Sequence, residues 1–271
     1  MSDSDNHVRL EAVKSLSGVY EQTDYLHSVT NFTDRFKSRL LEMATSDIDL
    51  GIRVAVIRVL GDIESHFPLE EEEKEKLCLL LFDEEPRVRR AVSSFVKAIW
   101  EEEIDEKIGS LHKLTKKDRE RIAIKVLAEL FVKWDNALDN VSGDDEDTAP
   151  VNGRQQSKRR KELIVLVAAE DRGRISMAVE ALWDEVNSIS DWEDLLELLL
   201  LDHSASEDEN CVVPSRGRPR VNGKSHKDDF HVDESWRLEE AEETVLLEVL
   251  VAAIRMAKEE STGGKKASNS L

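Results

Sequence analysis

The stretch Gly51–Glu64, GIRVAVIRVLGDIE, decides the fold. Its apolar residues Ile52, Ala55, Val56, Val59, Leu60 and Ile63 recur three and four apart, a spacing that gathers them on one side of a helix. A helix built this way must lay that side against something, and the same pattern returns elsewhere in the chain. Forty-four positions upstream of Ile52 stands Val8, and the same offset places Val13, Leu16 and Val19 beneath Ile57, Leu60 and Ile63. Thirty-six positions downstream stands Val88, followed by Ala91, Val92, Phe95, Val96 and Ile99. Each copy carries an arginine directly after its first apolar residue: Arg9, Arg53 and Arg89.

A helix with one apolar face that returns at intervals of roughly 40 residues is the signature of HEAT and armadillo arrays, where each helix pair hides its apolar side on the next. The expected fold is all-α, a HEAT-like solenoid of stacked antiparallel helix pairs, with Val8, Ile52, Val56, Leu60, Val88 and Val92 facing its core. Such a molecule holds partners; catalysis is not expected of it.

Composition agrees. Aromatic residues make up only 5% of the 271 positions and prolines number five, while Leu, Glu, Ala and Lys, all good helix formers, are abundant. The net charge of −20 argues against a protein that coats nucleic acid over its whole surface, so any DNA contact must be local. The two cysteines, Cys78 and Cys211, are too far apart in sequence and context to suggest a disulfide framework or a thiolate metal site, which points to a reducing compartment. The longest apolar run, LIVLVAA at 163–169, is far shorter than the roughly 18 residues a membrane span needs, and the polar, acidic MSDSDN start is unlike a signal peptide. A soluble intracellular protein with no membrane partner is expected.

Taken in order, residues 1–140 read as N-terminal repeats. Asp5 or Asn6 is positioned to cap a first helix at 7–20, and a second covers 31–44 with Phe32, Phe36, Leu40 and Met43 in line. Pro68 and the glutamates after it open a short helix, Pro86 opens the third copy at 87–100, and Thr115-x-x-Asp118 reads as a capping box for a helix over 115–138. An acidic flexible loop is expected at 141–157. Further repeats occupy 158–202, with helices at 159–170 and 174–187 and a capping box at Ser190–Glu193 ahead of a leucine-rich turn. A polar insert at 203–233, a final helix at 234–260 and a disordered tail at 261–271 complete the chain. A repeat helix that opens the chain without a polar capping repeat leads us to expect either that the natural protein extends further upstream or that the sequence is a fragment or shortened gene model.

In order and spacing, HVRLEAVKSLSGVY, NFTDRFKSRLLEMATSDIDLGIRVAVIRVL and LCLLLFDEEPRVRRAV resemble the conserved region of the stromalin (SA/STAG) subunit of the cohesin complex, of a fungal type. The likeness returns in ALWDEVNSISDWEDLLELLLLD and in EETVLLEVLVAAIRMAKE. The resemblance implies a non-enzymatic, hook-shaped scaffold in the nucleus, associated with chromatin, that grips the kleisin subunit, helps the ring engage DNA and docks regulators such as shugoshin. It also implies that Phe32, Arg35 and Phe36 receive short peptides with spaced aromatic residues. The family's surface draws in addition on a Trp and charged residues of a preceding repeat, which this sequence lacks, so the pocket is expected to be incomplete. A generic HEAT adaptor in another cytosolic or nuclear complex is the alternative.

Each of these residues also has a plainer reading. Periodicity alone makes Phe32 and Phe36 core residues and Arg35 a solvated charge. Arg53, Arg89 and Arg90 are placed to meet DNA phosphates, or else belong to a solvated face with acidic partners. Arg216, Arg218 and Arg220 in RGRPR match the centre of an AT-hook, whose arginines enter the narrow minor groove, although five residues match readily by chance. The run 158–161, KRRK, reads as a nuclear-import signal or as a helical first turn. Trp183 and Trp192, set among apolar neighbours, are expected in the core. His226 and His231 lack the spacing of a zinc site, and no phosphate loop, nucleophile elbow or HExxH motif occurs, so neither a catalytic residue, a metal nor a cofactor is expected.

Overall fold

The computed structural model describes residues 3–20, 22, 24, 26–109, 111, 114–143, 173–203 and 233–267. All regular structure among them is helical. The chain forms α1 (Asn6–Tyr20), α2 (Leu26–Ser46), α3 (Leu50–Glu64), α4 (Glu71–Cys78), a 3₁₀ turn (Leu79–Phe82), α5 (Pro86–Gly109), α6 (Lys116–Gly143), α7 (Arg174–Leu182), α8 (Asn187–Ser190), α9 (Trp192–Leu199), a second 3₁₀ turn (Glu234–Trp236) and α10 (Glu240–Ala267). Helix α3 packs between α1 and α5, α2 packs on α3, α4 contacts α2 and α5, and α6, α7 and α10 continue the stack as an α-solenoid.

The anchor helix behaves as its spacing predicts. Ile52, Val56, Leu60 and Ile63 are fully buried, as are Val88 and Val92 on α5, and they belong to one continuous core. Val8 does not join them. It is 51% exposed, and the inward residues of α1 are Val13 and Tyr20. Among the described residues α1 packs chiefly on α3, so only one side of it is covered, and Val8 lies off that side.

What the three copies share is a polar joint as well as an apolar face. Six residues before each repeated arginine stands an aspartate: Asp3, Asp47 and Asp83. Each Asp accepts the amide of the residue two positions on, at 2.9 Å in every copy, which closes an Asx-type turn ahead of the next helix. The arginines then tie the copies together. Arg9 forks onto the Asp47 carboxylate at 2.9 and 3.1 Å, and Arg53 pairs with Asp83 while its Nε donates to the Ala44 carbonyl at 2.9 Å. Arg89, only 4% exposed, donates to the carbonyls of Asp83 and Glu84 at 2.7 and 2.8 Å and reaches Glu180 on α7 at 3.8 Å. Arg9 makes the matching pair of bonds to the carbonyls of Asp3 and Ser4.

Most helix ends follow the local chemistry. Asp5 accepts the His7 amide at 2.8 Å, and Thr115 and Asp118 bond to each other's amides as the capping box requires. The Ser190–Glu193 box does not form: the Ser190 hydroxyl donates to the Asn187 carbonyl and Asp191 enters α9 without a side-chain cap. The helix expected at 174–187 stops at Leu182, whose carbonyl takes the amides of Glu185 and Val186 in a turn. Helix α10 starts at Glu240 and carries to Ala267, through positions read as a disordered tail. His203, assigned to the polar insert, is buried: its Nε2 donates to the Leu198 carbonyl and its Nδ1 accepts the Leu238 amide, which joins the two sides of the 204–232 segment. Helix α6 continues to Gly143, three residues into the loop expected at 141–157, and the remainder of that loop, the helix expected at 159–170 and most of the polar insert lie outside the described residues.

Candidate functional site

Helix α2 presents two faces. Thr33, Leu40, Met43 and Ala44 point inward, and the Thr33 hydroxyl lies 2.6 Å from the Tyr20 hydroxyl of α1. At 100° per residue Phe36 and Phe32 lie roughly 60° and 100° from the line through Thr33, Leu40 and Ala44, flanking the similarly placed Met43, which is buried. Both phenyl rings are nonetheless half-buried and not part of the core, because no described neighbouring element covers them there. They stack on each other with centroids 4.5 Å apart and planes 27° from parallel. This corrects the reading of Phe32, Phe36, Leu40 and Met43 as a single buried stripe.

Two arginines flank the stacked pair. Arg35 is exposed and holds its guanidinium carbon 5.7 Å from the Phe36 centroid, while Arg39, one turn further on, pairs with Glu42. Phe32, Arg35, Phe36 and Arg39 follow i, i+3, i+4, i+7 and so share a stripe roughly 10 Å long. Lys37 leaves this stripe and bonds Glu73 of α4 at 2.6 Å. Chemically, an aromatic face with cations on its margin suits a short peptide that brings an aromatic ring and a carboxylate.

The other candidates separate sharply. Arg53 and Arg89 have their guanidiniums engaged inside the joints between copies, with side chains 13% and 5% exposed, and so do not present them to a ligand. Burial pushes the Arg89 guanidinium below its ordinary value despite the nearby carboxylates. Arg90 is exposed, as are Arg58 and Arg87. Arg216, Arg218 and Arg220, the KRRK run, and His226 with His231 lie outside the described residues. Trp183 is in the core and its Nε1 donates to Glu260 at 2.8 Å; Trp192 is half-buried against the same core. Cys78 is buried, and desolvation pushes its thiol up to about 12, which leaves it a poor nucleophile. Among the described residues no helix is long and apolar enough to cross a membrane.

The aspartates of the joints were not singled out in the sequence, although their fixed six-residue lead on the arginines was the available signal. In Asp47, burial raises the carboxyl, but the hydrogen bonds from Arg9 and from the Asp49 amide outweigh it and hold the group below its ordinary value.

A family model falls on this same end of the chain. Residues 1–37, which include Phe32, Arg35 and Phe36, match the stromalin conservative domain. The chain is 37% identical over 108 residues to cohesin subunit psc3 of Schizosaccharomyces pombe, an alignment that covers 40% of this chain and 11% of that protein. It is 28% identical over 96 residues to sister-chromatid cohesion protein 3 of Arabidopsis thaliana, over 35% of this chain and 9% of the relative. Against cohesin subunit SCC3 of Saccharomyces cerevisiae it is 28% identical over 151 residues, 49% of this chain and 13% of the relative. The chain therefore spans about a tenth of the length of the curated relatives it matches.

Proposed function

We propose that this chain, a relative of the stromalin subunits of cohesin, acts as a non-enzymatic scaffold in that complex, binds the kleisin subunit and contributes to sister-chromatid cohesion at chromatin in the nucleus. The observation that carries the reading is the half-exposed Phe32–Phe36 stack with Arg35 beside it, inside the stretch that matches the stromalin conservative domain. Aromatic residues at the rim of a helix, held in one stacked pose, lose little freedom on binding and serve as anchors for a partner's ring. A regulator peptide of the shugoshin kind, with spaced aromatic residues and a carboxylate, fits that stripe. Local DNA contact falls to exposed cations such as Arg90 and to Arg216, Arg218 and Arg220, whereas Arg53 and Arg89 serve the fold.

The test is capture of the kleisin of the same organism by the purified chain, together with titration of a regulator peptide. Kleisin capture by the wild type, with peptide affinity lost at least tenfold in Phe32→Ala/Phe36→Ala, is the expected result. Absence of kleisin capture refutes the cohesin reading and leaves a HEAT-type adaptor for another complex. Peptide binding that is indifferent to both phenylalanines removes the α2 stripe from the account.

A further inference from the structure

On α10, Leu247, Val251 and Ile254 are 53%, 58% and 44% exposed, and their i, i+4, i+7 spacing sets them on one side of the helix as a single apolar stripe. Exposed Thr244 and Lys258 close it at its two ends. Apolar surface gathered in this way is costly to leave in water and marks a place where something packs. Leu247 and Val251 also border an open groove whose other wall carries Gly173 and Ser176, at the start of α7, which leaves room for side chains arriving from outside.

Charge identifies the occupant. Glu248 and Arg255 each follow a stripe residue by one position and so lie roughly 80–100° from the stripe, both on the same margin of it. Both are exposed. Among the described residues Glu248 has neither an ion pair nor a hydrogen bond, and Arg255 makes only a long 3.4 Å contact with the Ser176 hydroxyl. A two-fold axis perpendicular to α10 near Val251 lays a second α10 antiparallel on the first and brings like margins together in reverse order. Glu248 then faces the partner's Arg255, and the pair forms twice. The same rotation interleaves the apolar residues, so that Val251 meets the partner's Val251 and Leu247 lies beside the partner's Ile254. An unrelated helix would have to match this order of charges by chance, whereas a second copy carries it by construction. We propose that the exposed face of α10 is a two-fold interface between copies of this chain, with Leu247, Val251 and Ile254 as its seam and reciprocal Glu248–Arg255 pairs along one margin. The seam is roughly 10 Å long, far short of a standard interface, so the dimer is weak and forms only as concentration rises. The net charge of −20 opposes association, but at physiological ionic strength screening over about 8 Å leaves the local contacts to decide.

Sedimentation velocity of the full chain at physiological salt, from about 5 to about 200 µM, is expected to show a monomer passing into a dimer. Glu248→Arg alone and Arg255→Glu alone each set like charges across the seam twice, and each is expected to weaken dimerisation at least tenfold. The double variant Glu248→Arg/Arg255→Glu is expected to recover it. An equimolar mixture of the two single variants is expected to form heterodimers, since one then carries two cations and the other two anions along the margin. Recovery in these samples also shows that the single variants are folded. Val251→Asp is expected to abolish the dimer. A wild-type chain that stays monomeric throughout overturns the proposal and leaves the face to a helix of another protein. A dimer that ignores the single reversals, or that the double reversal fails to restore, overturns it as well.

Discussion

Between α1 and α5 one joint recurs, whereas among the described residues from α6 to α10 no joint does. The first half holds three copies of an aspartate, an Asx turn and, six residues on, an arginine; Arg9 and Arg53 bind the next copy's aspartate, and Arg89, with no further copy to meet, reaches Glu180 of α7 instead. The second half is held by unlike contacts. Lys117 and Arg121 share Glu197, and Arg121 covers the Trp236 ring at 4.5 Å. Lys125 bonds the Arg237 carbonyl and lies 3.6 Å from Glu242, and His203 links Leu198 to Leu238. A repeated sequence yields a repeated interface because the same short segment builds both the turn and the bond to its neighbour. Where the sequence does not repeat, each interface has to be solved separately, and none of these contacts follows from spacing.

Perturbations of the two halves sharpen this contrast. The largest effect is expected where both halves are alike, in the apolar core. Leu60→Ala on α3 and Leu246→Ala on α10 each remove a fully buried side chain, and each is expected to cost about 2–5 kcal/mol in urea unfolding. A near-neutral result at Leu246 alone would mean that the second half is loosely packed.

Next come the joints. Arg53→Ala removes the Asp83 carboxylate's charged partner and Arg89→Ala leaves two carbonyls without their donor, at an expected cost of about 1–3 kcal/mol each. Lysine at either position is expected to rescue only in part, because its donors radiate from one nitrogen and do not span the two separated acceptors as the guanidinium's Nε and Nη groups do. If Arg53→Lys is as stable as the wild type, the paired contact to Asp83 and the Ala44 carbonyl is not what joins the copies.

A smaller effect separates the halves by sign. Asp47 is held below its ordinary value, so its stabilisation is complete above the unfolded carboxyl pKa and is lost as pH falls through the lower folded one. Glu242 is raised, first by burial, against the Glu239 amide and Lys125 that favour its charge. Its contribution is complete below the unfolded pKa and is lost as pH rises through the folded one. Asp47→Asn should therefore flatten the acid limb of the stability profile, and Glu242→Gln should raise stability at neutral pH relative to acid, by about 1–3 °C in Tm. Shifts of the same sign in both variants would show that the two acids are not held as described.

The smallest effect on stability is expected at the rim of α2. Phe32→Ala/Phe36→Ala should cost under about 1.5 kcal/mol, since both rings are half-exposed and stack mainly on each other. A loss as large as that of Leu60→Ala would make them core residues after all.

Much of this was legible in the chain. The apolar spacing in Gly51–Glu64, its return at Val88, and the Thr115–Asp118 cap all rest on neighbours within one helix, and all took the form expected. The candidate site was legible only in part. Phe32 and Phe36 fall within 100° of the core face of α2, where a pattern of apolar residues does not distinguish centre from rim. Arg53 and Arg89 were read as surface cations because their partners Asp83 and Glu180 are distant in sequence.

By itself, the sequence determined that this protein is a stack of helices with Ile52, Leu60 and Val92 inside, because helical periodicity is a local property and water drives any such face under cover. The tertiary structure alone decided which sides found cover: it left Val8 in solvent, drew Arg89 into a joint and stood Phe32 and Phe36 at an edge. Those outcomes depend on how many neighbours each helix has, a number that no spacing of residues along one helix contains.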